Sequence, residues 1–390
     1  MYNYIPLEQA ADILDSYRKP VNSKERLNLI KGKPLDELFP YYGATGQVGW
    51  IDSFLTDGEY ILLGEDGAPF LNPYAEKAYI IHGKTWVNNH AHILRSKTNN
   101  EFLCYYLNYF NYKKYVSGTT RLKLTQAQMR KIPIPNIPSD EQSRIVARIE
   151  ELFSKLDKAV DTLKTTKEQL EVYRQAVLKD AFQEKENIIR LGDAIEKPRY
   201  GTSKKCDYPC TANSTAVLRI PNIDTKNGRV DSSDLKYAEF NEKELEQLSL
   251  KNGDILIIRS NGSISLVGSS AIIRKCDTDK TYAGYLMRLR ILNKEKLLPK
   301  YLLYYLSSPD ARRYIESVAK STSGVNNINS QEISKLCVPL SSIEKQEKTV
   351  AEIVMKLSVY HEIEKSVDTV LVQADAMRQS ILKQAFEGAL

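Results

Sequence analysis

Leu124–Val146, LTQAQMRKIPIPNIPSDEQSRIV, aligns without a gap on Ile328–Val350, INSQEISKLCVPLSSIEKQEKTV, 204 positions further on. Lys131/Lys335, Pro135/Pro339, Gln142/Gln346 and Val146/Val350 are identical across this register. The same offset lays Gln175–Phe182, QAVLKDAF, on Gln379–Phe386, QSILKQAF, with five of eight residues shared. Two segments in one register over about sixty residues mark a tandem duplication. Upstream, Phe102–Leu107 (FLCYYL) answers Tyr301–Leu306 (YLLYYL) at a slightly different offset. A duplicated chain tends to form a pseudo-symmetric object, suited to a target with two-fold character.

Each copy opens with short β-type runs punctuated by DG, NG and GxxG turns: Tyr60–Leu63, Lys77–Ile81, Ala216–Ile220, Asp254–Arg259 and Tyr285–Leu292. A short helix is expected next, over Glu101–Tyr115 and again over Pro299–Val318, its tyrosines filling the seam with the sheet. Prolines 133, 135 and 138 then forbid helix, and Ser139 and Ser342 are candidate N-caps for a long helix in each copy. The first carries Ile145, Ile149, Leu152, Leu156, Ala159, Leu163, Thr166, Leu170, Tyr173 and Val177 at heptad spacing. Shifting by the repeat gives Ile353, Lys356, Tyr360, Ile363, Val367, Val370, Ala374, Met377 and Ile381. Such seams bury themselves against a like helix, and each copy's nearest like helix is the other's. About forty residues make a rod of roughly 60 Å, comparable with one to two turns of B-DNA at about 34 Å each. The expected fold is α+β, with boundaries at 1–138, 139–186, 187–341 and 342–390 for mixed domain, long helix, mixed domain, long helix. The two helices are expected to form an antiparallel coiled coil with pseudo-two-fold symmetry.

With 390 residues the chain suits two or three domains. Five cysteines, no leading basic-then-apolar signal and no membrane-length apolar run point to a reduced, cytoplasmic protein. The net charge of +6 is concentrated in the mixed regions, with +2 over 1–140 and +6 over 184–340, against 0 and −2 in the helices. Lys84–Lys131 holds nine basic residues against Glu101 alone, whereas Asp52–Asp66 holds five acids and no base. That polarisation fits a phosphate-facing surface.

No catalytic constellation is present. Gly43-Ala-Thr-Gly46-Gln-Val-Gly49 lacks dinucleotide-loop spacing and reads as a turn, and no phosphate-binding P-loop occurs. Cys206 and Cys210 have no second ligand pair for zinc. His90 and His92 read as core or surface residues, and Asn72-Pro73-Tyr74 lacks the rest of an amino-methyltransferase motif. What remains are loops suited to contacting DNA. Arg259-Ser260-Asn261-Gly262-Ser263 follows a strand and offers side chains able to bond two base-edge atoms at once. Gly118-Thr-Thr-Arg121-Leu-Lys123 and Lys320-Ser-Thr-Ser-Gly324-Val-Asn326-Asn327 occupy equivalent places after the short helices. Lys204, Lys205, Arg229, Arg288 and Arg290 add candidate phosphate contacts.

The order of mixed domain, PIPNIP…EQSRIV, heptad helix and QAVLKDAF, repeated once, resembles the DNA-specificity subunit of type I restriction–modification systems. YYGATGQVG at Tyr41–Gly49 with GEDG at Gly64–Gly67 is similar to one form of that family's target-recognition domain. LRIPNID at Leu218–Asp224 and KNGDILIIRSNGS at Lys251–Ser263 are similar to another. Thr45, Gln47, Arg219 and Asn222 within these motifs, with Lys113 and Lys114, join the DNA-facing candidates, as does Asn326. The resemblance implies two target-recognition domains, each reading half of an asymmetric bipartite site, spaced by the paired helices. It further implies partners: double-stranded DNA, two adenine-N6 methyltransferase subunits and restriction subunits. The chain itself would bind no cofactor; S-adenosylmethionine, ATP and Mg would be used by those partners, and no catalytic residue or metal site is expected here. The alternatives are a solitary or silent DNA-binding subunit, a self-sufficient enzyme with degenerate motifs, and a coiled-coil scaffold without a DNA role.

Overall fold

The computed structural model describes residues 3–183, 187–208, 210–322 and 324–388. The chain divides into two compact units, Met1–Thr165 with Val367–Leu390, and Thr166–Ser366.

In the first unit the strands are β1 Tyr4–Pro6, β2 Ala11–Ile13, β3 Phe39–Gly43, β4 Gly46–Ile51, β5 Thr56–Asp57, β6 Tyr60–Gly64, β7 Ala78–Ile81, β8 Lys84–Val87, β9 Ala91–Ser96 and β10 Pro133–Pro135. They form a sheet ordered β2-β9-β6-β7, a second ordered β4-β3-β8-β5, and the antiparallel pair β1-β10. The apolar run YILL makes β6 a strand buried on both faces. Ile61 and Leu63 pack with Phe102 and Leu103 of the helix Asn100–Tyr109, while Tyr60 and Leu62 pack with Ile81, Val87 and Ile93. This is the two-residue alternation of a pleated strand, used here to build two cores.

The second unit repeats the plan in another sequence. Its strands are β11 Asn187–Arg190, β12 Arg199–Tyr200, β13 Ser214–Leu218, β14 Ile223–Asp224, β15 Arg229–Val230, β16 Lys236–Glu239, β17 Ile255–Ile258, β18 Ser260–Asn261, β19 Ser270–Ile272, β20 Thr281–Tyr282, β21 Leu286–Leu289, β22 Lys320–Thr322, β23 Val325–Asn327 and β24 Cys337–Leu340. The main sheet runs β12-β21-β17-β19-β15-β14, with smaller sheets β16-β13-β20 and β18-β23-β22 and the pair β11-β24. Again the central strand serves two cores, Ile255 and Ile257 facing one and Leu256 and Ile258 the other. The expected single helix over Pro299–Val318 is two, Pro299–Leu306 and Pro309–Val318. The break is local chemistry: Ser308 accepts the Ala311 N–H as N-cap, and Pro309 has no N–H to continue the preceding helix. In the first copy the helix stops at Tyr109, and Tyr112–Lys114 forms a separate 3-10 turn.

The residues shared by the two copies are joints. Gln142 and Gln346 are both buried. Gln142 donates to the Ile137 carbonyl at 3.0 Å and accepts from Thr98 at 2.9 Å. Gln346 donates to the Ser341 and Lys296 carbonyls at 2.9 and 2.8 Å and accepts from Leu298 N–H at 2.9 Å. Each glutamine thus ties the start of a long helix to the segment leading into the short one. Tyr106 and Tyr305 donate to the Pro133 and Cys337 carbonyls at 2.7 and 2.6 Å, again at matching places.

The long helices are Ser139–Ala181 and Ile343–Glu387, and the division into units falls inside both. In the first unit Ile149, Leu152 and Leu156 share a core with Ile381, Leu382 and Phe386, and Asp157 pairs with Arg378. In the second unit Val177, Leu178 and Phe182 share a core with Ile353 and Leu357, and Tyr360 donates to Glu171 at 2.6 Å. The expected seam residues Ile353, Tyr360, Val367, Ala374 and Ile381 are buried, and Leu163 and Leu170 are half-buried. The alternate positions are displaced by one residue. Ala159 and Tyr173 face solvent while Val160 and Arg174 turn inward, and Lys356, Ile363, Val370 and Met377 are exposed while Leu357, Glu364, Leu371 and Arg378 turn inward. Apolar residues stand on both candidate faces of the second helix, so spacing alone does not choose between them.

The two phenylalanines that end the repeated octapeptide anchor these helices. Phe386 meets the rings of Phe102, Tyr106 and Tyr109 at 5.4, 5.2 and 5.4 Å. Phe182 meets Tyr301 and Tyr305 at 5.1 and 5.2 Å. Phe386→Ala and Phe182→Ala should each cost about 3 kcal/mol or more, read by urea denaturation of the full chain. A change under 1 kcal/mol at both would remove the anchoring role.

Candidate nucleic-acid interface

In the first unit the loop after the short helix is tied back on itself: Ser117 and Lys123 exchange backbone hydrogen bonds of 3.0 and 2.8 Å around a left-handed Gly118 (φ 102°). Leu124 N–H donates to the Glu65 carbonyl at 2.7 Å, so the loop lies beside the GEDG turn. Arg121 pairs with Asp66 at 2.9 Å and Lys123 with Glu65 at 3.1 Å, though both cations stay largely exposed. The end of the acidic stretch Asp52–Asp66 therefore meets the basic stretch instead of leaving it unopposed, and its start, Asp52, pairs with Lys33 at 2.8 Å. The separation of charge along the sequence is smaller on the surface.

Beneath this loop lies a buried polar network. His92 has no exposed surface; its Nδ1 lies 2.7 Å from Asp15 and its Nε2 3.0 Å from the Leu124 carbonyl. Asp15 also accepts from Gln126 at 2.7 Å and Ile93 N–H at 3.0 Å, and pairs with Arg18 at 3.0 Å. Burial pushes the Asp15 carboxyl up, but hydrogen bonds from His92, Gln126 and Ile93 outweigh it and hold it below its ordinary range. Glu65, also raised by burial, is held low by Arg18 and Lys123. His90 bonds Asp66 at 2.6 Å, and its N–H donates to Asn88 at 2.8 Å, so both histidines are structural. Asn88 N–H donates to the Tyr42 carbonyl at 3.1 Å, connecting this network to the β3–β4 hairpin, whose turn exposes Thr45 and Gln47. Gln47 folds its amide onto the Gly49 carbonyl at 3.1 Å. Lys113 and Lys114 are exposed on their 3-10 turn.

In the second unit the candidates divide. Lys204, Lys205, Arg219 and Arg259 line one cavity of about 800 Å³, together with Lys236 and the exposed Tyr285. Arg259 lies over the Tyr200 ring at 4.5 Å and donates Nη1 to the Gly284 carbonyl at 3.1 Å. Arg219 pairs with Asp234 at 2.9 Å and Lys204 with Glu244 at 2.7 Å. Ser260 is buried, and β18 pairs with β23, so Asn261 and Asn326 sit opposite each other just beyond Arg259. Asn326 donates to the Gly262 carbonyl at 2.9 Å, and Asn261 accepts from Ser263 N–H at 2.8 Å. Ser323, in the loop between β22 and β23, lies outside the described residues.

Besides the buried Ser260, three candidates are enclosed by the fold. Asn222 is 1% exposed; it accepts from Arg219 N–H and donates to the Asp231 and Asp234 carbonyls at 2.9, 3.0 and 2.9 Å, holding the Arg219 segment from below. Arg288 is buried, donating to the Ser249 carbonyl at 2.6 Å, and Arg290 is largely covered, against Asp254 at 2.7 Å. Arg229 remains exposed and lines a different cavity, with Arg174, Tyr304 and His361. Lys236, Tyr200 and Tyr285 were not among the sequence candidates. Tyr200 precedes Gly201, where any Cβ would strike the Tyr282 and Ala283 carbonyls, and that close approach is not visible in the sequence.

No group of three or more potential metal ligands occurs among the described residues, and none of their helices is long and apolar enough to cross a membrane. Two related α/β units sharing long helices, with cation-bearing loops, define a two-module nucleic-acid-recognition protein. The family described as type I restriction modification DNA specificity domain matches residues 9–172 and again 184–369, and the chain belongs to that family. It is similar to a putative type I restriction enzyme specificity subunit of Haemophilus influenzae, 30% identical over 77% of this chain and 74% of that one. It is also similar to the type I restriction enzyme EcoKI specificity subunit of Escherichia coli, 28% identical over 70% of this chain and 61% of that one. A structure described as showing complex assembly and conformational transition of the type I restriction–modification system covers the whole chain, with a TM-score of 0.71 at 17% identity. The HsdS subunit of Thermoanaerobacter tengcongensis gives a TM-score of 0.52 at 16% identity, and both likenesses are of fold. The chain is a specificity subunit, a non-catalytic component of such a system.

Because the folded Asp15 carboxyl is held low, its contribution to stability is full above the unfolded value near 4. It should be lost as pH falls through the lower folded value. Asp15→Asn should lower stability at pH 7 and flatten the acid limb of melting temperature against pH. An unchanged limb would show that the network is not what acid breaks.

Proposed function

We propose that the chain directs a type I restriction–modification complex to an asymmetric bipartite DNA target, each unit recognising one half-site. The observation that carries this reading is the double match to the DNA specificity domain within one chain, on two halves whose candidate DNA-facing residues differ. Thr45, Gln47, Arg121 and Lys123 stand in one unit; Lys204, Arg219, Arg259 and Asn261 stand in the other. Loops that differ this much in residue type engage DNA differently, so the two half-sites are unlike.

In this reading the long helices pair antiparallel and set the spacing between the half-sites. Asp157 meets Arg378, and fourteen residues further along the first helix Glu171 meets Tyr360, eighteen residues earlier in the second. Partners advancing in opposite directions support an antiparallel pair. Two methyltransferase subunits dock along these helices, and restriction subunits join the larger assembly. A second stripe on the part of the later helix in the second unit supports docking: Met355, Val359 and Ile363 are exposed and recur on one helical face. S-adenosylmethionine, ATP and Mg would be held by the partners, which would act on the adenine once it leaves the stack.

Seven residues inserted into each long helix at matched positions would add about 10 Å, or about three base pairs at 3.4 Å each. Mapping of N6-methyladenine in cells co-expressing the cognate methyltransferase should show both half-sites kept and the spacer lengthened by that amount. An unchanged spacer in a methylating variant would refute the ruler.

A further inference from the structure

The cavity in the second unit has an arrangement that base reading does not explain. Five cations line it, Lys204, Lys205, Arg219, Lys236 and Arg259, and no described carboxylate does. The acids that hold these cations, Asp207, Asp234 and Glu244, act from outside the lining. The two guanidinium groups are fixed in advance, Arg259 between the Tyr200 ring and the Gly284 carbonyl, Arg219 against both the Asp234 carboxylate and its carbonyl at 2.9 and 3.0 Å. Each also has a buried Nε with no hydrogen-bond partner. Such an arrangement is costly without a compensating anion nearby.

A base-edge reader must project into a groove, whereas these arginines line the wall of a concavity. The part of a duplex that projects outward is its sugar–phosphate ridge, and it carries the charge that a wall lined by five cations, with no carboxylate facing the space, attracts. An 800 Å³ space is too large for a lone phosphate but accommodates a run of backbone, with the exposed Tyr285 beside it for the sugar face. We propose that this cavity seats a phosphodiester run of one DNA strand, and that Arg259 anchors the backbone and does not read a base. Reading then falls to the neighbouring β18–β23 hairpin, which carries Asn261 and Asn326. Tyr200 is a positioning residue, holding the guanidinium at the wall through its ring. This inference rests on the DNA-specificity reading above.

The test uses the full chain co-expressed with its methyltransferase subunit. Methylation mapping with the wild-type chain first defines the motif. Arg259→Gln should leave that motif intact, weaken binding by a similar factor for the target and for every single-base-pair variant of it, and make the slope of log K against log salt shallower by about 0.9. An uncharged methylphosphonate at one position of the second half-site should weaken the wild type about tenfold and leave Arg259→Gln nearly unaffected. Arg259→Lys, which keeps a charge, should recover part of the salt slope. Should Arg259→Gln fail to fold, Lys204→Gln with Lys205→Gln at the rim carries the same comparison. Loss of preference at one base pair with an unchanged salt slope would overturn the proposal, as would affinity that none of these changes alters. If the wild-type chain yields no motif and no salt-dependent binding, the specificity reading itself fails, and this inference with it.

Discussion

The core of each unit closes around a helix end supplied by the other copy of the repeat. Ile381, Leu382, Ala385 and Phe386 complete the first core, and Val177, Leu178 and Phe182 the second. Each helix begins at a joint held by a buried glutamine and ends among aromatic rings. An aromatic side chain of this size buries enough apolar surface to account for several kcal/mol, so the octapeptide repeat persists where the rest has diverged. The architecture follows from this exchange: a half without its visiting helix end would expose a ring-lined slot to water.

Around that shared frame the two units differ freely. Both use one apolar strand with cores on each face, yet the first builds its loop face on a buried Asp15–His92 network and the second on arginines set in a cavity wall. The frame tolerates this because the repeated contacts, Gln142 and Gln346, Tyr106 and Tyr305, lie at the joints and not in the loops. A scaffold with fixed joints and variable loops is what a protein needs if its two halves must recognise different sequences.

Much of the fold was legible because it is written twice. The duplication, the prolines before the long helices and the apolar strands all follow from spacing and residue type. The inner face of the second long helix was half legible. Ile353, Tyr360, Val367, Ala374 and Ile381 are buried, but Ile363 and Val370 look like seam residues and face outward, while Glu364 is buried. That buried carboxylate is paired with Lys226, a partner 138 residues away that no local pattern shows. The site was less legible for the same reason. Asn222 looks like a base reader until its amide is seen bonded to three backbone groups, and Arg288 and Arg290 look like phosphate ligands until Asp254 and the Ser249 carbonyl are found beside them. Hydrogen-bond partners distant in sequence decide whether a polar residue is available, and periodicity carries no information about them.

In the proposed function this chain supplies the sequence specificity of a methylating complex. The most direct measurement is genome-wide mapping of N6-methyladenine in a host without other adenine methylation, expressing the cognate methyltransferase with and without this chain. A split motif with two unlike half-sites and a fixed spacer, present only with the chain, is the expected result. A stable co-purified complex that methylates no such motif, or a motif that appears without the chain, would contradict it.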